Sequence, residues 1–269
     1  MQYLPVVQSA HLAAAVLGPG PAGAVPALVL LHGFTQNSQS WAAVVDHLPP
    51  VTALAPDLPG HGGSSGVAAD LWQTAEVLAA LVPQPTAWVG YSMGGRAALH
   101  VALAHPEKVS RLVLVSTSAG IAEPGLRAER ARSDARLAAR LEAGGDEALP
   151  GFLEEWLAQP LFATLPRDAA DLGSRLANTA AGLASSLRLA GAGAQEPLWE
   201  RLPELGRRGL PVLVLAGELD QRYSGHAMAL ARAIGPSARA RLLPGAGHAC
   251  HLEQPEGFAR LVAGFCLGA

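Results

Sequence analysis

The chain lacks most of what would mark it as secreted, membrane-spanning, metal-binding or polyanion-binding. Two cysteines, Cys250 and Cys266, in 269 residues are too few for a disulfide framework or a thiolate metal cluster, and both are expected as reduced thiols. No Lys or Arg precedes Arg96, so the amino end has no basic segment of a secretory signal, although His11 to Val16 is locally apolar. Apolar runs near the start are broken by Pro19, Gly20, Pro21 and Gly23, and no stretch of roughly 20 apolar residues could span a bilayer. A net charge of -3, from 19 basic and 22 acidic residues, gives no argument for nucleic acid or an anionic membrane surface. These absences predict a cytoplasmic chain without nucleic-acid partner or membrane insertion, monomeric or homodimeric, with nothing that calls for a cofactor or a metal. Arginine greatly outnumbers lysine, a compositional bias that carries no functional reading by itself.

What is present is hydrophobic residue, 50% of the composition, enough for one large core with an inserted cap. Short apolar runs at Ala27–Leu31, Val51–Ala55, Thr86–Val89, Leu112–Val115, Val212–Ala216 and Ala240–Leu243 read as buried strands. Amphipathic stretches such as Leu71–Leu81 and Ala97–Ala104 lie between several of them. The pattern predicts an α/β fold with a mostly parallel sheet flanked by helices, and ligands at the carboxyl ends of the strands. From Ser118 to Pro197 the strand signal gives way to a helical pattern. Residues 118–197 are therefore expected as a helical cap inserted into a core formed by residues 1–117 and 198–269.

Ser92 lies in Gly90-Tyr91-Ser92-Met93-Gly94-Gly95, directly after one apolar run and directly before a helical stretch. A G-x-S-x-G turn in that context is a nucleophile elbow, with glycines where neighbouring backbone must pass closely. A second copy, Gly62-Gly63-Ser64-Ser65-Gly66, sits in a loop with no helix pattern behind it, and Ser64 is not expected to react. A serine hydroxyl needs an imidazole to take its proton, and His248 follows the last strand in a Gly-rich turn; it is preferred to His251, which is expected to pack or cap. Asp220 is preferred to Glu218 as the orienting acid, with Glu218 left to cap a turn. The order Ser, Asp, His is that of an α/β-hydrolase fold. In that fold the backbone N–H groups of Phe34 and Met93 would form the oxyanion hole, and His32 and His61 are expected as hydrogen-bonded structural histidines.

In the cap, Arg130 shares a helical face with Leu126, Leu137 and Leu141, and a guanidinium there needs an anion. Asp134, four residues on, or a substrate carboxylate would each serve. Arg175, beside the stripe Leu172, Leu176, Thr179, Leu183 and Leu187, raises the same choice, whereas Arg132, Arg136 and Arg140 are expected to be solvated.

Beyond the general motifs, the cap segments Trp156-Leu157-Ala158-Gln159-Pro160-Leu161-Phe162, Gly182 to Arg188 and Gly191 to Trp199 are distinctive. In them the chain resembles the 2-succinyl-6-hydroxy-2,4-cyclohexadiene-1-carboxylate synthases of menaquinone biosynthesis, lyases of the α/β-hydrolase superfamily. The resemblance implies a tricarboxylate substrate from which pyruvate is eliminated, with Ser92, His248 and Asp220 moving a ring proton. It also implies pocket roles for Tyr91, Arg96, Trp156, Arg175 and, less closely matched, Arg130, where Arg127 or Arg132 could substitute. Ala192 stands where the family often has threonine, and Arg222 where lysine is common. The same triad with water as second substrate would serve a carbon–carbon bond hydrolase or a carboxylesterase; a non-catalytic receptor of the same fold would not need it.

Overall fold

The computed structural model describes residues 12–19 and 25–268. Seven strands form one sheet in the order β1-β3-β2-β4-β5-β6-β7. They are β1 (Ala14–Leu17), β2 (Leu28–Leu31), β3 (Ala53–Pro56), β4 (Thr86–Tyr91), β5 (Val109–Val115), β6 (Val212–Gly217) and β7 (Ala238–Leu243). All neighbours pair in parallel except β1, which runs antiparallel to β3. Strand β1 was not among the expected strands. It is an edge strand of only four residues with half its positions exposed, so its apolar residues are not a buried run, and His11 lies outside the described residues.

The central strands read as unbroken apolar runs because both faces are covered. Val29, Leu31, Trp88, Leu112, Leu114 and Val214 point into one core, against the helices α1 (Leu71–Ala80), α2 (Met93–Ala104) and α6 (Gln221–Ile234). Leu28, Leu30, Val89, Val113, Val115 and Leu215 point into the other, against α7 (Pro255–Cys266). Helix α1 begins where the sequence provides a capping box, Asp70 and Gln73 bonding each other's backbone N–H. Leu28 and Leu31 are fully buried, and truncating either to alanine would cost about 2–5 kcal/mol.

Between β5 and β6 the described chain is helical. Helices α3 (Pro124–Gly144), α4 (Leu149–Leu157) and α5 (Ala180–Ala190) enclose a small core of their own, with Leu141, Leu149, Leu153 and Leu183 at its centre. Phe34 from the β2 loop and Trp156 pack against its edge, so this layer is seated directly on the strand ends. Leu126 departs from the expected helical stripe: at 58% exposure it faces water, and burial on α3 begins only further along, at Asp134, Ala138 and Leu141.

Candidate active site

Ser92 stands between β4 and α2 with φ 51 and ψ -108, a left-handed conformation that non-glycine residues seldom adopt. Its neighbours hold it there: Ser92 N–H donates to Val115 O at 2.8 Å, and Ser92 O accepts from Thr117 Oγ1 at 2.7 Å. The flanking glycines are needed for space, since a Cβ on Gly90 would lie 2.3 Å from Gly94 O and one on Gly94 would lie 2.2 Å from Leu31 O. Ser64, by contrast, is buried, and its hydroxyl accepts from Ala13 N–H at 2.9 Å.

Asp220 and His248 meet across the ends of β6 and β7. Asp220 Oδ2 accepts from His248 Nδ1 at 2.7 Å, while Oδ1 caps α6 by accepting from Tyr223 N–H at 3.1 Å. Because an ionised carboxylate can only accept, Nδ1–H is the donor of this bond, which leaves Nε2 as the ring nitrogen available for proton transfer. The ring is packed by Tyr223, Tyr91 and Phe162 at centroid distances of 4.5, 5.4 and 5.8 Å. Ser92 and His248 line one cavity of about 370 Å³; among the described residues Ser92 Oγ makes no hydrogen bond in this conformation. The two rejected alternatives do other work. Glu218 accepts from Gly245 N–H at 3.1 Å, capping the turn after β7, and His251 is fully buried against Tyr91 and Trp41.

The loop after β2 is built to leave one N–H unpaired. Gly33 O accepts from His32 Nδ1 at 2.8 Å and from Gln36 N–H at 3.1 Å. Since the peptide group is planar and trans, the Phe34 N–H points the opposite way. Among the described residues neither it nor the Met93 N–H, at the first position of α2, has a protein acceptor. Both residues line the cavity. His32 and His61 are structural, as expected: His32 Nε2 accepts from Leu58 N–H at 2.9 Å, and His61 Nε2 accepts from Thr35 N–H at 3.3 Å. Burial pushes them down to about 4 and about 3 respectively, so both stay neutral.

The arginines divide. Arg175 is 2% exposed; its Nε donates to Ala170 O at 2.7 Å and its Nη1 to Thr35 Oγ1. Arg96, also buried, donates Nη1 to Ala190 O at 2.7 Å. Neither has an ion pair among the described residues, and burial lowers both, Arg96 to about 10. Arg130 differs: Asp134 Oδ1 takes its Nε at 2.7 Å, so the intrahelical acid is its partner, and the side chain is 37% exposed. The Arg130 terminal nitrogens make no hydrogen bond among the described residues, and the residue still lines the cavity with Arg96, Arg175, Tyr91 and Trp156. Arg132 and Arg136 are exposed, and Arg140 pairs with Glu155 at the surface. The buried Trp156 Nε1 also lacks a partner among the described residues.

Two supports escaped sequence reasoning. Glu253 braces the His248 loop, its two oxygens accepting from Gly247 N–H at 2.7 Å and Ala249 N–H at 3.0 Å. Asn178 ties Thr35 to the cap. Neither belongs to a motif, and no local pattern in the sequence marks either of them. Among the described residues no cluster of His, Cys, Asp and Glu could hold a metal ion, and no helix is long and apolar enough to cross a membrane.

Residues 28–261 match the Alpha/beta hydrolase family. A Bacillus subtilis (strain 168) protein provisionally named 2-succinyl-6-hydroxy-2,4-cyclohexadiene-1-carboxylate synthase is 36% identical over 264 residues, 93% of each chain. The synthase of that name from Serratia proteamaculans (strain 568) is 33% identical, with 94% of this chain and 98% of that one aligned. The chain belongs to this synthase family. In structure it is similar to MenH from S. aureus, with a TM-score of 0.85 at 29% identity over 95% of this chain and 98% of that one. A thermophilic esterase from Thermogutta terrifontis, solved with malate bound, is also similar, with a TM-score of 0.76 at 26% identity over 96% and 93% of the two chains. An esterase on the same scaffold means that the synthase family is distinguished by its site and not by its sheet.

Proposed function

We propose that the chain eliminates pyruvate from 2-succinyl-5-enolpyruvyl-6-hydroxy-3-cyclohexene-1-carboxylate, giving 2-succinyl-6-hydroxy-2,4-cyclohexadiene-1-carboxylate in menaquinone biosynthesis. The observation that carries this reading is the pair of buried guanidiniums, Arg96 and Arg175, lining the Ser92 cavity with no ion-pair partner among the described residues; the Asp134 carboxylate that lines the same cavity is taken by Arg130. A buried charge without a counterion is costly by several kcal/mol, and an anionic substrate would relieve that cost. A pocket for neutral esters gains nothing from it. The substrate carries three carboxylates, and Arg96, Arg175 and the free end of Arg130 are the groups we assign to them, with Trp156 Nε1 as a further donor.

In the mechanism that fits this arrangement, His248 Nε2 accepts the Ser92 proton as Ser92 Oγ takes the ring proton next to the succinyl carbonyl. Asp220 steadies the resulting imidazolium. The electron pair of the broken C–H bond moves onto the carbonyl oxygen, whose growing charge is met by the Phe34 and Met93 N–H groups. As the enolate collapses, the ring C–O bond breaks, the second ring double bond forms, and the leaving enolpyruvate takes up a proton and becomes pyruvate. No water is consumed, and Ser92 carries a proton and not an acyl group. In this scheme the segment 118–197 roofs the cavity and the chain works in the cytoplasm. The test is pyruvate release from the enolpyruvyl precursor, followed against the unaided decay of that compound. Release well above decay, abolished in Ser92→Ala, is expected; release at the rate of decay contradicts the proposal.

A further inference from the structure

Thr35 is the third residue of the turn Gly33-Phe34-Thr35-Gln36, closed by Gln36 N–H to Gly33 O at 3.1 Å. Its φ is 68. A turn with positive φ at that position ordinarily uses glycine, and a β-branched residue there is strained. Such conformations persist only where the surroundings over-determine them. Here every polar group of Thr35 is engaged: its N–H by His61 Nε2 at 3.3 Å, its carbonyl by Asn178 Nδ2 at 2.8 Å, and its hydroxyl by Arg175. Asn178 is buried and fully used. Its Oδ1 accepts from Gly62 N–H at 2.8 Å, and its Nδ2 also donates to Arg175 O at 2.8 Å. One residue beyond the turn, Asn37 Nδ2 donates to Ser174 O at 2.7 Å. The segment from Ser174 to Asn178, which follows α4 and precedes α5, is thus stitched to the loop that carries the Phe34 N–H.

We propose that Asn178 and His61 are positioning residues of the oxyanion hole: from the cap and from the β3 loop they clamp Thr35 in its left-handed turn and so hold the Phe34 N–H towards the cavity. This deepens the reading of the site given above and rests on it. His61 can accept from Thr35 N–H because its ring is neutral, its Nδ1 proton being donated to Pro59 O at 3.0 Å. The clamp links the two halves of the site. Arg175 reaches both a substrate carboxylate and Thr35, so the group that recognises the anion also touches the turn that stabilises the enolate.

The test compares Asn178→Asp, which keeps the acceptor for Gly62 but cannot donate to Thr35 O, with His61→Leu and the conservative His61→Gln. Pyruvate release is measured alongside crystal structures of each variant. Removing a whole oxyanion donor costs about 10²–10³ in kcat. A misaimed one is expected to cost about 10-fold in Asn178→Asp and up to about 10²-fold in His61→Leu, with KM within about threefold. His61→Gln, which restores an acceptor to Thr35 N–H, is expected to recover most of the loss, and Thr35 is expected to leave positive φ in the two damaging variants. Unchanged kcat in both damaging variants overturns the proposal, as does a Thr35 that stays left-handed in both. A loss that appears in KM and not in kcat overturns it too. If the wild-type chain releases no pyruvate at all, the functional reading fails; the clamp is then judged on the structures alone, where an unmoved Thr35 refutes it and a released one supports it.

Discussion

The floor and the roof of the cavity are built on opposite electrostatic principles. The floor, made of loops after β2, β3 and β4, buries polar side chains that are neutral and largely satisfied: His32, His61 and Gln36 each accept a hydrogen bond from a backbone N–H. On the roof, in Arg175 and Arg130, and on α2 beneath it, in Arg96, charge is held with part of each guanidinium making no hydrogen bond among the described residues. A satisfied neutral network is stiff and gains nothing from a ligand, which suits groups that must already point at a transition state. An under-satisfied cation gains from the first anion that reaches it, which suits recognition. Damage to the floor should therefore appear in kcat, and damage to the roof in KM.

The largest effect is expected where that division is deepest. Ser92→Ala and His248→Ala should each lower kcat for pyruvate release by about 10³-fold; Ser92→Ala should leave the melting temperature nearly unchanged, whereas His248→Ala, which strips the buried Asp220 carboxylate of its partner, should lower it. Activity within tenfold of wild type in either would break the assignment of the proton-transfer pair. Next, Arg175→Lys keeps the charge but loses the fork and should raise KM by about 10- to 10²-fold. Arg130→Ala should raise it by about tenfold or less, because that side chain is partly solvated and already paired with Asp134. If the Arg130 change exceeds the Arg175 change, the ranking by burial is wrong.

The fourth prediction concerns pH. Burial holds His32 and His100 at about 4, His61 at about 3 and His251 well below its ordinary range. These folded values lie below that of an unfolded histidine, so the unfolded chain binds protons first as pH falls. Their contribution is complete above about pH 6.5 and is lost progressively towards pH 4, by up to about 1.4 kcal/mol per pH unit for each ring. Denaturant titrations from pH 7 to pH 4.5 should show that slope, whereas a flat stability over this interval would contradict a neutral floor. The smallest effect is reserved for the decoy: Ser64→Ala should leave turnover within about twofold and cost about 1–3 kcal/mol by orphaning the Ala13 N–H.

What the sequence made legible follows the same division. The strand ends announce themselves, because a buried parallel strand is an unbroken apolar run and a residue such as Ser92, Asp220 or His248 directly after one has few other reasons to be there. The glycines of the elbow could be read for the same reason: each is required by a backbone contact that any fold of this type must make. The roof is harder. A helical pattern locates Arg130 and Arg175 on faces, yet only coordinates separate the one that pairs with Asp134 from the one that forms no ion pair among the described residues. Leu126 shows the limit of periodicity, since its place on the stripe is right and its burial is not. Asn178 acts through hydrogen bonds to Thr35 and Gly62, far off in sequence, and Glu253 through the backbone of a loop just before it; no helix or strand period encodes either set of partners. Strand β1 escaped because a four-residue edge strand with half its positions exposed buries too little to leave a signature.

The central claim is that open arginines turn a hydrolase scaffold towards an anionic substrate. It is tested most directly by measuring kcat/KM on one preparation for two compounds, the tricarboxylate enolpyruvyl precursor and a neutral aryl ester. The account predicts that the precursor is favoured by about 10³-fold or more, with both activities lost together in Ser92→Ala. A chain that turns over the neutral ester as well as the precursor, or better, would contradict it.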